Sequence, residues 1–170
     1  MTARALRPAA VRADFTPEAP SELAVVAGDR VVVIDQGTKV WAEATLSEHE
    51  RIPLIGDLLG LQLAYNPGAA FSFGESFTWV FALIAVAATA TAIVFAFRVR
   101  RPGWAIVIGA LGGAAASHAG DRLFRQPGFA RGHVVDFLAY GNWFIGNLAD
   151  IVIVTATIAG ALLMLRGTEN

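Results

Sequence analysis

Three stretches of this chain are apolar for long enough, or nearly so, to cross a lipid bilayer. Phe77–Phe97 carries no charge over 21 residues, and at about 1.5 Å per residue such a helix spans a ~30 Å hydrocarbon core. Trp104–Ala119 is apolar and rich in glycine and alanine, a composition that lets neighbouring membrane helices approach closely. Phe144–Leu165 is long enough to span but carries Asn147 and Asp150 in what the pattern makes its first two turns. A fourth helix is predicted over Leu23–Leu46, where apolar residues are interrupted by Asp29, Arg30, Asp35, Lys39 and Glu43. Asp35, Lys39 and Glu43 recur every four residues and so share one helical face, with Asp35 and Lys39 spaced for an i,i+4 ion pair. A polar stripe on a membrane helix is expected to point into the bundle.

The charges between these segments orient them. Arg98-Val-Arg100-Arg101-Pro102-Gly103 is a short basic turn, which the positive-inside preference places in the cytoplasm, and Arg166 after the last helix agrees. Four spans then put both termini in the cytoplasm. Two loops face the other side. In Ser47–Ser76 the leucines of Leu59–Ala64 alternate with smaller or polar residues, the signature of a strand, and Asn66-Pro67-Gly68 reads as a turn. The second loop, Gly120–Trp143, gathers Asp121, Arg122, Arg125, Arg131, His133 and Asp136, with His118 just before it.

Composition sharpens this picture. Of 170 residues 55% are hydrophobic and 16% charged, more apolar surface than a soluble domain of this size can hide. The net charge of −1 lacks the basic excess that nucleic-acid binding needs, so no nucleic-acid partner is expected. The absence of cysteine excludes thiolate catalysis, disulfides and thiolate metal sites. His118 and His133 lie 15 residues apart and His49 is remote, so no metal site is expected. Residues 1–22 have arginines but no apolar run directly after them, a poor signal peptide. They are read as a disordered cytoplasmic tail, and residues 23–170 as one four-helix membrane domain.

Polar groups at membrane depth are costly and point to function. Asp136 closes the second outer loop and Asp150 follows after 13 intervening residues that include Gly141 and Gly146, so the chain can fold back and bring the two carboxylates together. Such a pair in a low-dielectric site shares a proton, which permits acid–base hydrolysis without serine, cysteine or metal. Spacing alone equally allows Asp150 to cap a helix or pair with an arginine such as Arg122, and Asp136 to be an ordinary loop acid. Asp35 and Lys39 fit a structural ion pair.

The motifs, taken in order, resemble bacterial signal peptidase II, the lipoprotein signal peptidases. Asp35-Gln-Gly-Thr-Lys39, Asn66-Pro-Gly-Ala-Ala-Phe-Ser72, the segment from Gly112-Gly113 to Asp121-Arg122, Val134-Val-Asp-Phe137 and Asn147-Leu-Ala-Asp150 follow the family's order over roughly Val31 to Leu165. The resemblance implies an all-α membrane protein of four transmembrane helices with a small extracytoplasmic β-cradle around Leu54–Ala64. It implies an aspartic endopeptidase of the bacterial inner membrane, working near its extracytoplasmic face. Its substrates would be diacylglyceryl-modified prolipoproteins, cut on the amino side of the lipidated cysteine. Asp136 and Asp150 fall on the catalytic positions. Asn66, Gly68, Arg122 and Asn147 fall on substrate-binding ones, with Asn66 and Arg122 bonding the substrate and Asn147 orienting the pair. Asp35, Lys39, Asp121 and His118 fall on positions that support the site. Membrane lipids are the expected surroundings, a monomer the expected unit, and no cofactor is implied. His118, Ser117, Gly146 and Ile151 depart from the family's usual residues. A catalytically impaired paralogue that binds lipoproteins without cutting them is the competing expectation, and a proton-coupled transporter is disfavoured by the uncharged Phe77–Phe97.

Overall fold

The computed structural model describes residues 19–68 and 77–167, so the tail before Ala19 and Ala69–Ser72 of the asparagine motif lie outside the described residues. Four helices follow the hydrophobic pattern: α1 (Pro20–Thr45), α2 (Thr78–Ala96), α3 (Pro102–Phe124) and α4 (Leu148–Gly167). A four-stranded antiparallel sheet is built from the two loops that the pattern put on one side. Its strands are β1 (Ile52–Ile55), β2 (Leu59–Asn66), β3 (Val134–Tyr140) and β4 (Phe144–Gly146), in the order β1-β2-β3-β4.

Several boundaries differ from the sequence expectation. Helix α1 starts at Pro20, three residues before Leu23, because proline suits the first helical turn and the Glu22 carboxylate accepts the Ala19 N–H at 3.2 Å. Helix α3 runs on to Phe124, so Asp121 and Arg122 are helical rather than in the loop. Helix α4 begins at Leu148 rather than Phe144, since Phe144–Gly146 instead pairs with β3 (Tyr140 opposite Phe144, Leu138 opposite Gly146). Asp150 therefore sits in the first turn of α4, not two turns in.

The bundle is apolar outside and polar within. Leu83, Ile84, Ile93, Val94 and Phe95 of α2 are exposed, as are Val154, Ile158, Leu162 and Met164 of α4 and Val33, Ile34 and Val40 of α1. Patches of this extent are not left facing water. Helices α2 and α4 are each long and apolar enough to cross a membrane. Helices α1 and α3, 26 and 23 residues long, have the length but carry Asp35, Lys39, Asp121 and Arg122, all buried. They pack on each other through small residues. A side chain at Gly109 would overlap the Ala24 backbone, and one at Gly113 would overlap that of Gly28, a close small-residue crossing of the kind membrane helices favour.

The sheet sits against the C-terminal end of α1, where Ala42, Leu63, Val135 and Phe137 form a buried apolar cluster. Trp41 meets Phe137 edge to face at 6.3 Å. Strand alternation then decides the site. With Val135 and Phe137 turned to this cluster, Val134 and Asp136 face the opposite side.

Candidate active site

That opposite side is a cavity of about 490 Å³ between the sheet and helices α2, α3 and α4. Asp136 from β3 and Asp150 from α4 both line it. So do Asn66, Gly68, His118, Arg122 and Asn147, while Phe81, Ile84, Ile153 and Val154 supply apolar walls. Seven of the ten residues singled out in the sequence thus share one cavity. Asp35, Lys39 and Asp121 do not, and stand behind it.

Asp136 is 3% exposed, and both carboxylate oxygens accept side-chain amides. Asn147 Nδ2 donates to Oδ1 at 2.6 Å and Asn66 Nδ2 to Oδ2 at 3.2 Å. The register makes the second bond possible, since Ala64 lies opposite Asp136 and Asn66 opposite Val134 on the same face. Burial first, and the nearby Asp150 charge second, push the Asp136 carboxyl up to about 6, against the opposing pull of the two amides.

Asp150 is held by the start of its own helix. Asn147 is the N-cap: its Oδ1 accepts the Asp150 N–H at 3.2 Å, while the Asp150 carboxylate accepts the Asn147 N–H at 2.9 Å. This is a reciprocal capping box with aspartate in the third position. His118 Nε2 lies 3.3 Å from the other carboxylate oxygen, Oδ1, and His118 Nδ1 is buried with no hydrogen-bond partner among the described residues. Gly146 leaves room for this arrangement, because a Cβ there would stand 2.9 Å from Asp150 Oδ2. Two of the departures noted in the sequence, His118 and Gly146, therefore both meet the same carboxylate.

Behind the cavity lies a buried polar network. Lys39 Nζ is 2.5 Å from Asp35 and 2.7 Å from Asp121, with all three side chains fully or almost fully buried. Asp35 Oδ2 also accepts the Ser117 hydroxyl at 2.6 Å, and its Oδ1 accepts the Ala149 N–H at 2.8 Å. One carboxylate of α1 thus satisfies a free donor in the first turn of α4. Asp121 accepts from Gln36 (2.9 Å) and Arg125 (2.6 Å), and Arg125 reaches Glu43 at 2.6 Å.

Arg122 makes several contacts within the chain. Its guanidinium donates to the carbonyls of Asn66 and Pro67 at 2.9 Å, to Gly132 at 3.2 Å, and to Gly68. With Arg122 4% exposed, these bonds hold the chain leaving β2. Gly68 N–H in turn donates to Asn66 Oδ1 at 2.9 Å. Gln36, Ser117 and Arg125 were not assigned a role from sequence. Only Arg125 had a local signal, its i,i+4 spacing from Asp121.

A bundle with an apolar exterior, its polar groups gathered at one end beneath a small sheet and two carboxylates in one cavity, defines a small membrane protein with a paired-carboxylate site. Comparison with known proteins makes this particular. Residues 30–166 match the family described as signal peptidase (SPase) II. The lipoprotein signal peptidase of Leifsonia xyli subsp. xyli is 45% identical over 138 residues, covering 81% of this chain and 64% of that protein. The one from Rhodococcus jostii is 40% identical over 147 residues, covering 86% and 74%. Two solved structures, each described as a bacterial membrane enzyme, share the fold. One has a TM-score of 0.75 at 23% identity, over 86% of this chain and 90% of that one; the other has 0.72 at 21%, over 85% and 93%. The chain belongs to the signal peptidase II family.

Proposed function

We propose that this protein is a membrane-embedded aspartic endopeptidase that removes the signal peptide from diacylglyceryl-modified prolipoproteins, cutting on the amino side of the lipidated cysteine. The observation that carries the reading is the cavity itself. Asp136 and Asp150 line it together, and the Asp136 carboxyl is pushed up to about 6 where an ordinary aspartate is near 3.8. Two carboxyl groups whose surroundings set them apart in this way divide the acid and base roles between them.

In this mechanism Asp136 starts protonated and Asp150 ionised. A water between them gives a proton to Asp150 as its oxygen bonds the scissile carbonyl carbon, and Asp136 passes its proton to the carbonyl oxygen. The tetrahedral diol then collapses. The C–N bond breaks, the leaving amine takes the proton from Asp150, and a diol hydroxyl returns its proton to Asp136, regenerating the pair. The products are the freed signal peptide and a lipoprotein with a new amino terminus. Asn147 and Asn66 hold Asp136 in place through its two oxygens, and Arg122 acts by holding the Asn66–Gly68 turn. Asp35, Lys39 and Asp121 fix the start of α4, and with it Asp150. His118 supports Asp150 from α3.

The family membership and the names of its relatives support the substrate class. We further propose that all four helices span the bacterial inner membrane, with both termini cytoplasmic and the cavity near the extracytoplasmic face. The basic turn at Arg98–Arg101, at the opposite end of α2 and α3 from the sheet, supports that orientation. The working unit is a monomer and no cofactor takes part.

The test is cleavage of a diacylglyceryl-modified prolipoprotein by the purified protein in detergent. Asp136→Asn and Asp150→Asn are each expected to lower kcat by at least about a hundredfold, the scale of one lost acid–base group, while the protein remains folded. A wild type that leaves several lipidated substrates intact would overturn the reading and leave a binding-only paralogue.

A further inference from the structure

The cavity at the carboxylates has a neighbour. Ala88 of α2 belongs to its wall and also to that of a second groove, of about 770 Å³, toward the other end of the bundle. Helix α3 floors both. Trp104, Ile108 and Leu111 line the groove, and Ala115, His118 and Arg122 line the cavity. Steps of three and four residues put these six on one helical face.

The groove is apolar except at one end. There Arg98, Arg100 and Arg101, from the turn between α2 and α3, complete its lining. Helix α2 is long and apolar enough to cross a membrane, so this turn falls where hydrocarbon gives way to headgroups. All three arginines are exposed. Among the described residues the ion pairs are those of Lys39, His118 and Arg125, and none involves these three. No acidic residue occurs between Phe77 and Gly120 to neutralise them along the chain. An apolar slot ending in three cations with no ion pair among the described residues calls for a ligand with a long apolar body and an anionic head.

We propose that this groove binds an anionic phospholipid, with an acyl chain against Phe95, Trp104 and Ile108 and its phosphate among Arg98, Arg100 and Arg101. Basic pockets between membrane helices hold anionic headgroups in this way. Charge argues against a signal peptide as the occupant of this end, because the leading segment of a signal peptide is itself positive. A zwitterionic lipid brings its own ammonium to the same cations. The proposal depends on α2 crossing the membrane and is independent of the peptidase reading.

The experiment uses the full-length protein in nanodiscs of phosphatidylcholine doped with phosphatidylglycerol. Lipids retained after transfer to detergent are read by native mass spectrometry. The wild type is expected to retain phosphatidylglycerol in preference to phosphatidylcholine, and the preference should fall about fivefold for each arginine removed. The Arg98→Gln/Arg100→Gln/Arg101→Gln variant should retain both lipids alike. Its unfolding temperature in pure phosphatidylcholine should match the wild type, because these side chains make no ion pair among the described residues. Arg131→Gln, which removes an exposed arginine from the loop before β3, should keep the full preference. The proposal is overturned if the wild type retains the two lipids equally, or if the triple variant keeps its preference. An equal loss in Arg131→Gln would also sink it, since the attraction would then be that of the whole surface. Prolipoprotein cleavage, measured on the same preparations, reports separately on the peptidase reading.

Discussion

A carboxyl group that is 3% exposed and shares a cavity with a second carboxylate is poorly placed to carry a charge. For Asp136 the folded-state pKa of about 6 lies above the ordinary 3.8, so folding favours the protonated form. That contribution to stability is complete below about 3.8 and is lost as pH rises through about 6. Asp136→Asn, which mimics the neutral form, is therefore expected to be more stable than wild type at pH 7.5 by on the order of 2 kcal/mol. At pH 4 the gain should vanish. Thermal unfolding in detergent at the two pH values measures this. Equal effects at both would mean that ionisation of Asp136 costs the fold nothing. The free enzyme's kcat/KM should also decline as pH rises past about 6, where the proton on Asp136 is lost.

At the scale of elements, the three-helix network around Lys39 is what holds the start of α4. Lys39→Met leaves Asp35 and Asp121 buried without their shared cation, and losing one partner of a buried ionic group costs about 3–5 kcal/mol. Its unfolding temperature should drop sharply, and adding Asp35→Asn and Asp121→Asn should recover part of the loss. No recovery would show that Lys39 acts by packing instead. The crossing of α1 and α3 is equally exacting. Gly113→Leu would drive a side chain into the Gly28 backbone, so a marked fall in unfolding temperature and in folded yield is expected. Element boundaries were the least legible feature in the sequence. Val134–Tyr140 was read as loop because four consecutive residues from Val134 to Phe137 are buried, which hides the alternation that marks a one-sided strand. The Asn147-x-x-Asp150 capping pattern was present in the sequence. It was masked by Phe144–Gly146, an apolar run that pairs with β3 yet reads as a continuation of the helix.

At the scale of the whole molecule, the question is how the bundle lies in the bilayer. Because the chain has no cysteine, each introduced one is unique. In right-side-out vesicles Glu50→Cys, beside the sheet, should react with a membrane-impermeant maleimide. Arg100→Cys, in the turn between α2 and α3, should react only after the membrane is opened. Labelling of both from the same side would overturn the proposed four-span topology, and with it the proposed extracytoplasmic position of the cavity.

Hydrophobic periodicity by itself pointed to four helices, three of them apolar for long enough, or nearly so, to cross a bilayer, and put Asp35 and Lys39 on one face. These follow from local spacing and solvent preference, which a linear sequence records directly. The motifs, through the family resemblance they carry, singled out seven of the residues that line the cavity. Only the tertiary structure decided what each of them touches. That Asp35 accepts the Ala149 N–H across 114 residues depends on how α1 and α4 meet. That Arg122 donates to the carbonyls of the Asn66–Gly68 turn depends on how the sheet sits over α3. That Asp136 faces the cavity rather than the apolar cluster depends on the register of β3 against β2. Such contacts join residues far apart in the chain, and their geometry is set by packing rather than by any local pattern.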